Sequence, residues 1–124
     1  MANEITLNLR VLLDNAGLDD DFNPSKIQIT QTGQIVFKRV ASIATTETTI
    51  TLTGITTPKV CYLYNLDGTN YVEFGTTTAD YPIRLYPYAN TGLPNLLTLN
   101  TSKTTLYLKA NTAACRVLIA VYEA

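Results

Sequence analysis

Apolar residues recur at every second position in run after run of this chain, and that spacing predicts strands almost throughout. In residues 4–13, Ile5, Leu7, Leu9, Val11 and Leu13 alternate with Glu4, Thr6, Asn8, Arg10 and Leu12. That is the period of a half-buried strand and not of a helix. The densest signal is KVCYLYNLDGTNYVEFG, residues 59–75, where two strand-like runs flank Asp67-Gly68. An Asp-Gly pair supplies the positive φ angles of a type I′ turn, so a hairpin is predicted here. Its register would set Asn65 against Asn70, Tyr64 against Tyr71, Leu63 against Val72 and Cys61 against Phe74. One face of this hairpin would be apolar (Cys61, Leu63, Val72, Phe74) and the other tyrosine-rich (Tyr62, Tyr64, Tyr71).

The other elements follow from the same alternation. Residues 14–25, DNAGLDDDFNPS, are dense in Asp, Asn, Gly and Pro and read as a loop. Strands are expected at 26–31 and 34–44, joined at Thr32-Gly33, and at 47–53, a threonine-rich run ending at Gly54. After a small-residue loop at 75–80, YPIRLYPY at 81–88 puts Tyr81, Ile83 and Leu85 on one face, with Arg84 and Tyr86 on the other. Pro82 and Pro87 cannot donate to a ladder, which makes this an edge strand or extended segment. Residues 89–95 read as a turn-rich connection. Strands at 96–100, 104–110 and 114–123 complete the series, with turns at Ser102-Lys103 and Asn111-Thr112. Short strands with turn residues between them predict an all-β protein, an antiparallel β-sandwich of about eight to ten strands, jelly-roll-like, with an open barrel as the alternative. At 124 residues with no linker or repeat, a single domain over 1–124 is expected.

Composition narrows the partners more than the fold. Charged residues make up only 15% of the chain and net charge is −1, without a basic run, which argues against nucleic acid. No stretch approaches the length of a membrane helix, so no membrane partner is expected. The opening MANEITLNLR lacks the basic and apolar regions of a signal peptide. Cys61 and Cys115 both fall at apolar positions of strand-like runs, as buried free thiols made in a reducing compartment would.

The residues that carry chemistry are nearly all missing. The chain has no histidine, which removes serine–histidine and cysteine–histidine catalysis and most zinc sites. No glycine-rich phosphate loop is present, and nothing points to a cofactor or metal. A glycosidase-type carboxylate pair would have to come from 10 acidic residues, most of them in loops or at strand ends where solvated surface is the simpler reading. Asp19, Asp20 and Asp21, with Asp14 and Asn15, offer oxygen atoms of the kind Ca²⁺ takes. Their spacing is not that of an EF-hand loop, and a solvated loop again explains them. Asn65, Asp67, Gly68 and Asn70 are accounted for as a turn motif braced by side-chain-to-backbone hydrogen bonds. The expectation is therefore a protein without enzymatic activity.

One distribution stands out. All 8 tyrosines follow residue 61, and alternation sets Tyr62, Tyr64, Tyr71, Tyr86, Tyr107 and Tyr122 opposite the aliphatic positions. They are candidates for a protein interface, since tyrosine offers large contact area and a hydroxyl at modest entropy cost. Coverage by a second layer of the fold, or a sugar-stacking platform, are the other two readings.

The stretch Asn65-Leu66-Asp67-Gly68-Thr69-Asn70-Tyr71-Val72, then Tyr81-Pro82-Ile83-Arg84-Leu85, then Leu106-Tyr107-Leu108-Lys109-Ala110 resembles small β-sandwich structural proteins of tailed bacteriophages. The resemblance covers residues 59–124. This chain carries Tyr88-Ala89 where that family often has Gly-Glu. It implies a virion component assembled in the host bacterial cytoplasm, foremost a capsid decoration (cement) protein. Its partners would be the major capsid protein or other virion proteins, and the tyrosine face with the weakly charged surface suggests a symmetric homo-oligomer, a trimer if the protein sits at a three-fold capsid site. A head–tail connector or tail-associated subunit, and a carbohydrate-binding module, are the alternatives.

Overall fold

The last run of the chain shows why strands form. From Cys115 to Glu123, alternate residues Cys115, Val117, Ile119 and Val121 are buried, and two neighbouring strands pair along the whole length. The computed structural model describes residues 4–31, 35–87 and 94–123, and among them there are only strands, turns and loops. The strands are β1 (Glu4–Leu7), β2 (Val11–Asn15), β3 (Leu18–Phe22), β4 (Ile27–Thr30), β5 (Val36–Ile43), β6 (Thr48–Thr51), β7 (Pro58–Asn65), β8 (Val72–Gly75), β9 (Ile83–Leu85), β10 (Asn95–Thr98), β11 (Thr105–Ala110) and β12 (Cys115–Glu123). The all-β expectation holds.

Strands β5 to β12 build two four-stranded antiparallel sheets, ordered β10-β7-β12-β5 and β6-β11-β8-β9. Except for the step from β8 to β9, each strand lies in the opposite sheet from the one before it. This is the strand order of an eight-stranded jelly roll, packed as a sandwich. The sheets end at β10 and β5, and at β6 and β9, so they form a sandwich and not a barrel. The core between them is apolar, and Ile43, Leu63, Phe74, Leu106, Leu108 and Ile119 are fully buried. Cys61 and Cys115 lie in the same core as free thiols.

The chain divides into two compact units, residues 1–32 and 33–124, and the sandwich expected over 1–124 is confined to the second. The first holds two separate ribbons, β1 with β4 and β2 with β3. The single strand expected over 4–13 is therefore two, β1 and β2, which take different partners. The loop expected at 14–25 is largely a hairpin. Ala16 (φ 44°) and Gly17 (φ 94°) make a tight two-residue turn, and LDDDF continues as a strand. The expected junction at Thr32-Gly33 and the Tyr88-Ala89 loop lie outside the described residues.

The largest correction concerns the hairpin at Asp67-Gly68. Strands β7 and β8 do not pair, because β7 lies between β10 and β12 while β8 lies between β11 and β9 in the other sheet. Neither Asp67 nor Gly68 takes a positive φ. Residues 66–71 form an arch that carries the chain from one sheet to the other. Cys61 and Leu63 then meet Val72 and Phe74 across the core and not side by side. The edge-strand expectation at 81–88 holds, since β9 closes one side of its sheet with Leu85 inward and Arg84 outward. At the end of β8 a glycine is required, because a Cβ on Gly75 would lie 1.8 Å from the carbonyl oxygen of Asp80.

Two outcomes follow. Phe74→Ala should lower the unfolding free energy by about 3–5 kcal/mol, read from urea or guanidinium denaturation, since it opens a cavity between both sheets. The thiols should be inert: burial pushes Cys61 up to about 12, and burial aided by the Asp67 carboxylate pushes Cys115 up to about 11. Only the thiolate is nucleophilic, so a disulfide-exchange reagent near pH 8 should label neither in the folded protein and both in denaturant.

Candidate functional site

The arch is held by two side chains. Asn65, 1% exposed, accepts a bond at Oδ1 from the Asp67 amide (2.9 Å). Its Nδ2 donates to the carbonyls of Asn70 (2.8 Å) and of Leu85 (3.0 Å) in the facing sheet. Asp67 Oδ2 accepts from the amides of Thr69 (2.9 Å) and Asn70 (2.6 Å). The Asn70 amide and then the Thr69 amide hold its carboxyl below the usual range. Asn70 Oδ1 in turn accepts from the Thr112 hydroxyl. Asn65 and Asp67 are thus the clasps of an arch and not of the expected hairpin turn, and among the described residues the Asn70 side chain bonds only the Thr69 and Thr112 hydroxyls and no backbone group. Gly68 takes no part in these bonds, and the motif is structural.

The same arch separates the tyrosines that alternation put together. Tyr62, Tyr64 and Tyr122 lie on the outer face of the β10-β7-β12-β5 sheet, with the Tyr62 and Tyr122 rings 6.2 Å apart. Burial, and then the Tyr62 hydroxyl, raises the Tyr122 pKa. Tyr71, Tyr86 and Tyr107 lie on the outer face of the other sheet. None of the six belongs to the buried core cluster, and they form two trios and not one face.

The two outer faces differ in chemistry. On the β10-β7-β12-β5 face, Val36, Val40 and Leu96 are 47%, 51% and 45% exposed. Tyr62, Tyr64, Pro94, Leu96 and Leu118 line a shallow apolar depression beside them. Its charges are Lys38, whose ammonium stands 6.0 Å from the Tyr62 ring, and Arg116. The only carboxylate in these four strands, Glu123, is buried and accepts from the Thr56 amide and hydroxyl. The β6-β11-β8-β9 face is polar. Lys109, Glu73 and Arg84 stand in register across three strands. Arg84 lies 4.0 Å from the Tyr71 ring centroid and 6.0 Å from that of Tyr86, and a hydrogen bond to Tyr86 is the first cause raising its pKa.

The apolar patch extends past the tyrosines to Val36, Val40, Leu96 and Leu118. A signal for it exists in the sequence, because runs such as VLIAVY (117–122) are apolar at both parities. A strand with only one face in a core should not be. Beside the polar face, Glu47 accepts from Tyr81 (2.7 Å), the Ala79 amide (2.7 Å) and Thr78 (2.9 Å), fixing Ala79 at φ 59°. The hydrogen bond to Glu47 raises Tyr81 to about 12.

In the β2–β3 ribbon, alternation sets Asp14, Asp19 and Asp21 on one side and Asp20 on the other, so the five candidate oxygen-bearing residues are divided between two sides. Among the described residues no group of three or more acidic or cysteine side chains is placed to hold a metal ion. Comparison with known proteins finds no matching family model, no matching curated protein and no matching solved structure.

The arch yields a paired test. Asn65→Ala leaves two carbonyls at the sheet junction without their donor and should cost about 1–3 kcal/mol in denaturant unfolding. Asp67 has a folded pKa below its unfolded one, so its stabilisation is full above the ordinary carboxylate range. It is lost as pH falls through the folded value. The stability gap between the wild type and Asp67→Ala should therefore narrow in acid, as followed by urea midpoints from neutral pH downward.

Proposed function

We propose that this chain is a non-enzymatic structural subunit of a bacteriophage virion, a decoration protein that binds the capsid surface and bridges neighbouring capsomers. The observation that carries the proposal is the outer face of the β10-β7-β12-β5 sheet. It is broad, apolar, free of exposed carboxylates in its strands, and open to solvent. A face of this kind is stabilised by burial against protein, with little charge to desolvate. The motif resemblance over residues 59–124 supplies the virion context, and the jelly roll is a fold that capsid proteins share with lectins. Fold alone does not decide between them.

The tyrosine geometry favours assembly over sugar binding. A sugar platform needs a bare ring face, whereas Arg84 covers Tyr71 and the Tyr62 ring has Lys38 and Tyr122 about it. Tyrosine and arginine in contact are typical anchors of protein interfaces. In this reading the apolar face joins copies into a closed ring, a trimer at a three-fold position, and the Tyr71–Arg84–Tyr86 group meets the shell. Repetition over the lattice multiplies modest contacts into a large gain in shell stability.

The test adds purified protein to capsids that lack it and follows their thermal rupture. Saturable binding with delayed rupture is expected. Tyr64→Ala and Tyr71→Ala should each weaken binding by roughly tenfold or more at unchanged folding. Absence of binding to the shell, or attachment only to tails or glycans, would overturn the proposal.

A further inference from the structure

The β2–β3 ribbon is a hairpin without a core. All ten of its strand residues are exposed, with Leu12 at 61% and Leu18 at 62%. Its register puts Val11 opposite Phe22 and Asn15 opposite Leu18, so Val11, Leu13, Leu18 and Phe22 share one side with Asp20 between them. The other side sets Asp14 directly against Asp19 and Leu12 against Asp21. A lone two-stranded ribbon is marginal in water, and like charges directly opposite weaken it further. The Arg10–Asp21 pair is exposed and adds little.

We infer that the β2–β3 ribbon is a docking arm, received by the outer face of the β10-β7-β12-β5 sheet in a second copy of this chain. Charge complementarity identifies the occupant. Residues 1–32 hold two of the nine basic residues and five of the ten acidic ones, a net charge of −3. Residues 33–124 hold the remainder, a net charge of +2. The exposed apolar side of the ribbon carries Asp20, and Asp14, Asp19 and Asp21 on its reverse side make the whole ribbon acidic. The exposed apolar face of the sheet carries Lys38 and Arg116. Two ribbons packed on each other would bring aspartates together, and two sheet faces would bring cations together. Ribbon on sheet pairs both signs and buries both apolar surfaces. Such a head-to-tail contact closes into a ring when the rotation allows it.

The inference rests on the reading of the sheet face as an assembly surface, and reciprocal charge reversal tests it. One full-length variant carries Asp19→Lys and Asp20→Lys, the other Lys38→Glu and Arg116→Glu, all at exposed positions. Sedimentation velocity on each should show association weakened by about tenfold or more against the wild type. An equimolar mixture should recover association as mixed pairs and even-membered complexes, because a reversed arm then meets a reversed face, whereas a three-membered ring of the two variants keeps one mismatched contact. The milder pair Asp20→Asn and Lys38→Gln should weaken association in the same direction and secures the comparison if a reversed variant melts early. A wild type that stays monomeric, a reversed variant that associates like the wild type, or a mixture of folded variants that fails to associate would each overturn the inference. Rings that form by this contact yet ignore empty shells would remove the decoration role alone. Shell binding with association indifferent to the reversals would remove the arm alone.

Discussion

A single carboxamide governs how the two sheets are joined. Asn65 ends β7 inside the protein, where an amide without partners costs several times what a typical bond returns. All of its bonds go to backbone: one amide within the arch, one carbonyl at its far end, and one on β9 in the opposite sheet. The side chain thus measures the distance between the sheets at the place where the chain crosses. Asp67 finishes the crossing by taking two amides that no strand claims. Among the described residues no buried side-chain nitrogen or oxygen is left unpartnered. The aliphatic core can therefore pack without a polar defect at its rim.

Strand positions were legible because alternation is set by burial, and burial is what the sandwich provides. The partners of strands were less so. Runs 59–65 and 71–75 alternate identically whether they lie side by side or face each other across a core. Asp67-Gly68 carries the strongest local hairpin preference, yet the arch prevails because β12 and β10 already occupy both edges of β7. The converse occurs at Ala16-Gly17, where a modest dipeptide makes a true hairpin amid residues polar enough to read as loop. The six tyrosines alternate with the buried positions. Their division into two trios was hidden, since it depends on the arch. Arg84 was placed outward as well, but nothing in its spacing announces the ring beneath it.

Asymmetry between the outer faces gives the sandwich a direction. Val36, Val40, Leu96 and Leu118 make one side apolar, while a row of Lys109, Glu73 and Arg84 makes the other polar. The two sides therefore favour unlike surroundings, one apolar and one polar. The acidic ribbon at residues 11–22 and the cations Lys38 and Arg116 extend the same division of labour to separate parts of the chain.

The pairing of β5 with β12 has a consequence for synthesis. These strands meet along eight residue pairs, although some seventy positions separate them in the chain. One of the two inner positions of the first sheet is thus filled by a strand that follows β5 to β11 in the chain. Until β12 has left the ribosome, β5 and β7 have no common neighbour and the core lacks Val117, Ile119 and Val121. Folding dominated by such distant pairings is slow and close to all-or-none. A chain interrupted before β12 would leave β5 and β7 without the strand that joins them, and the core without one of its walls.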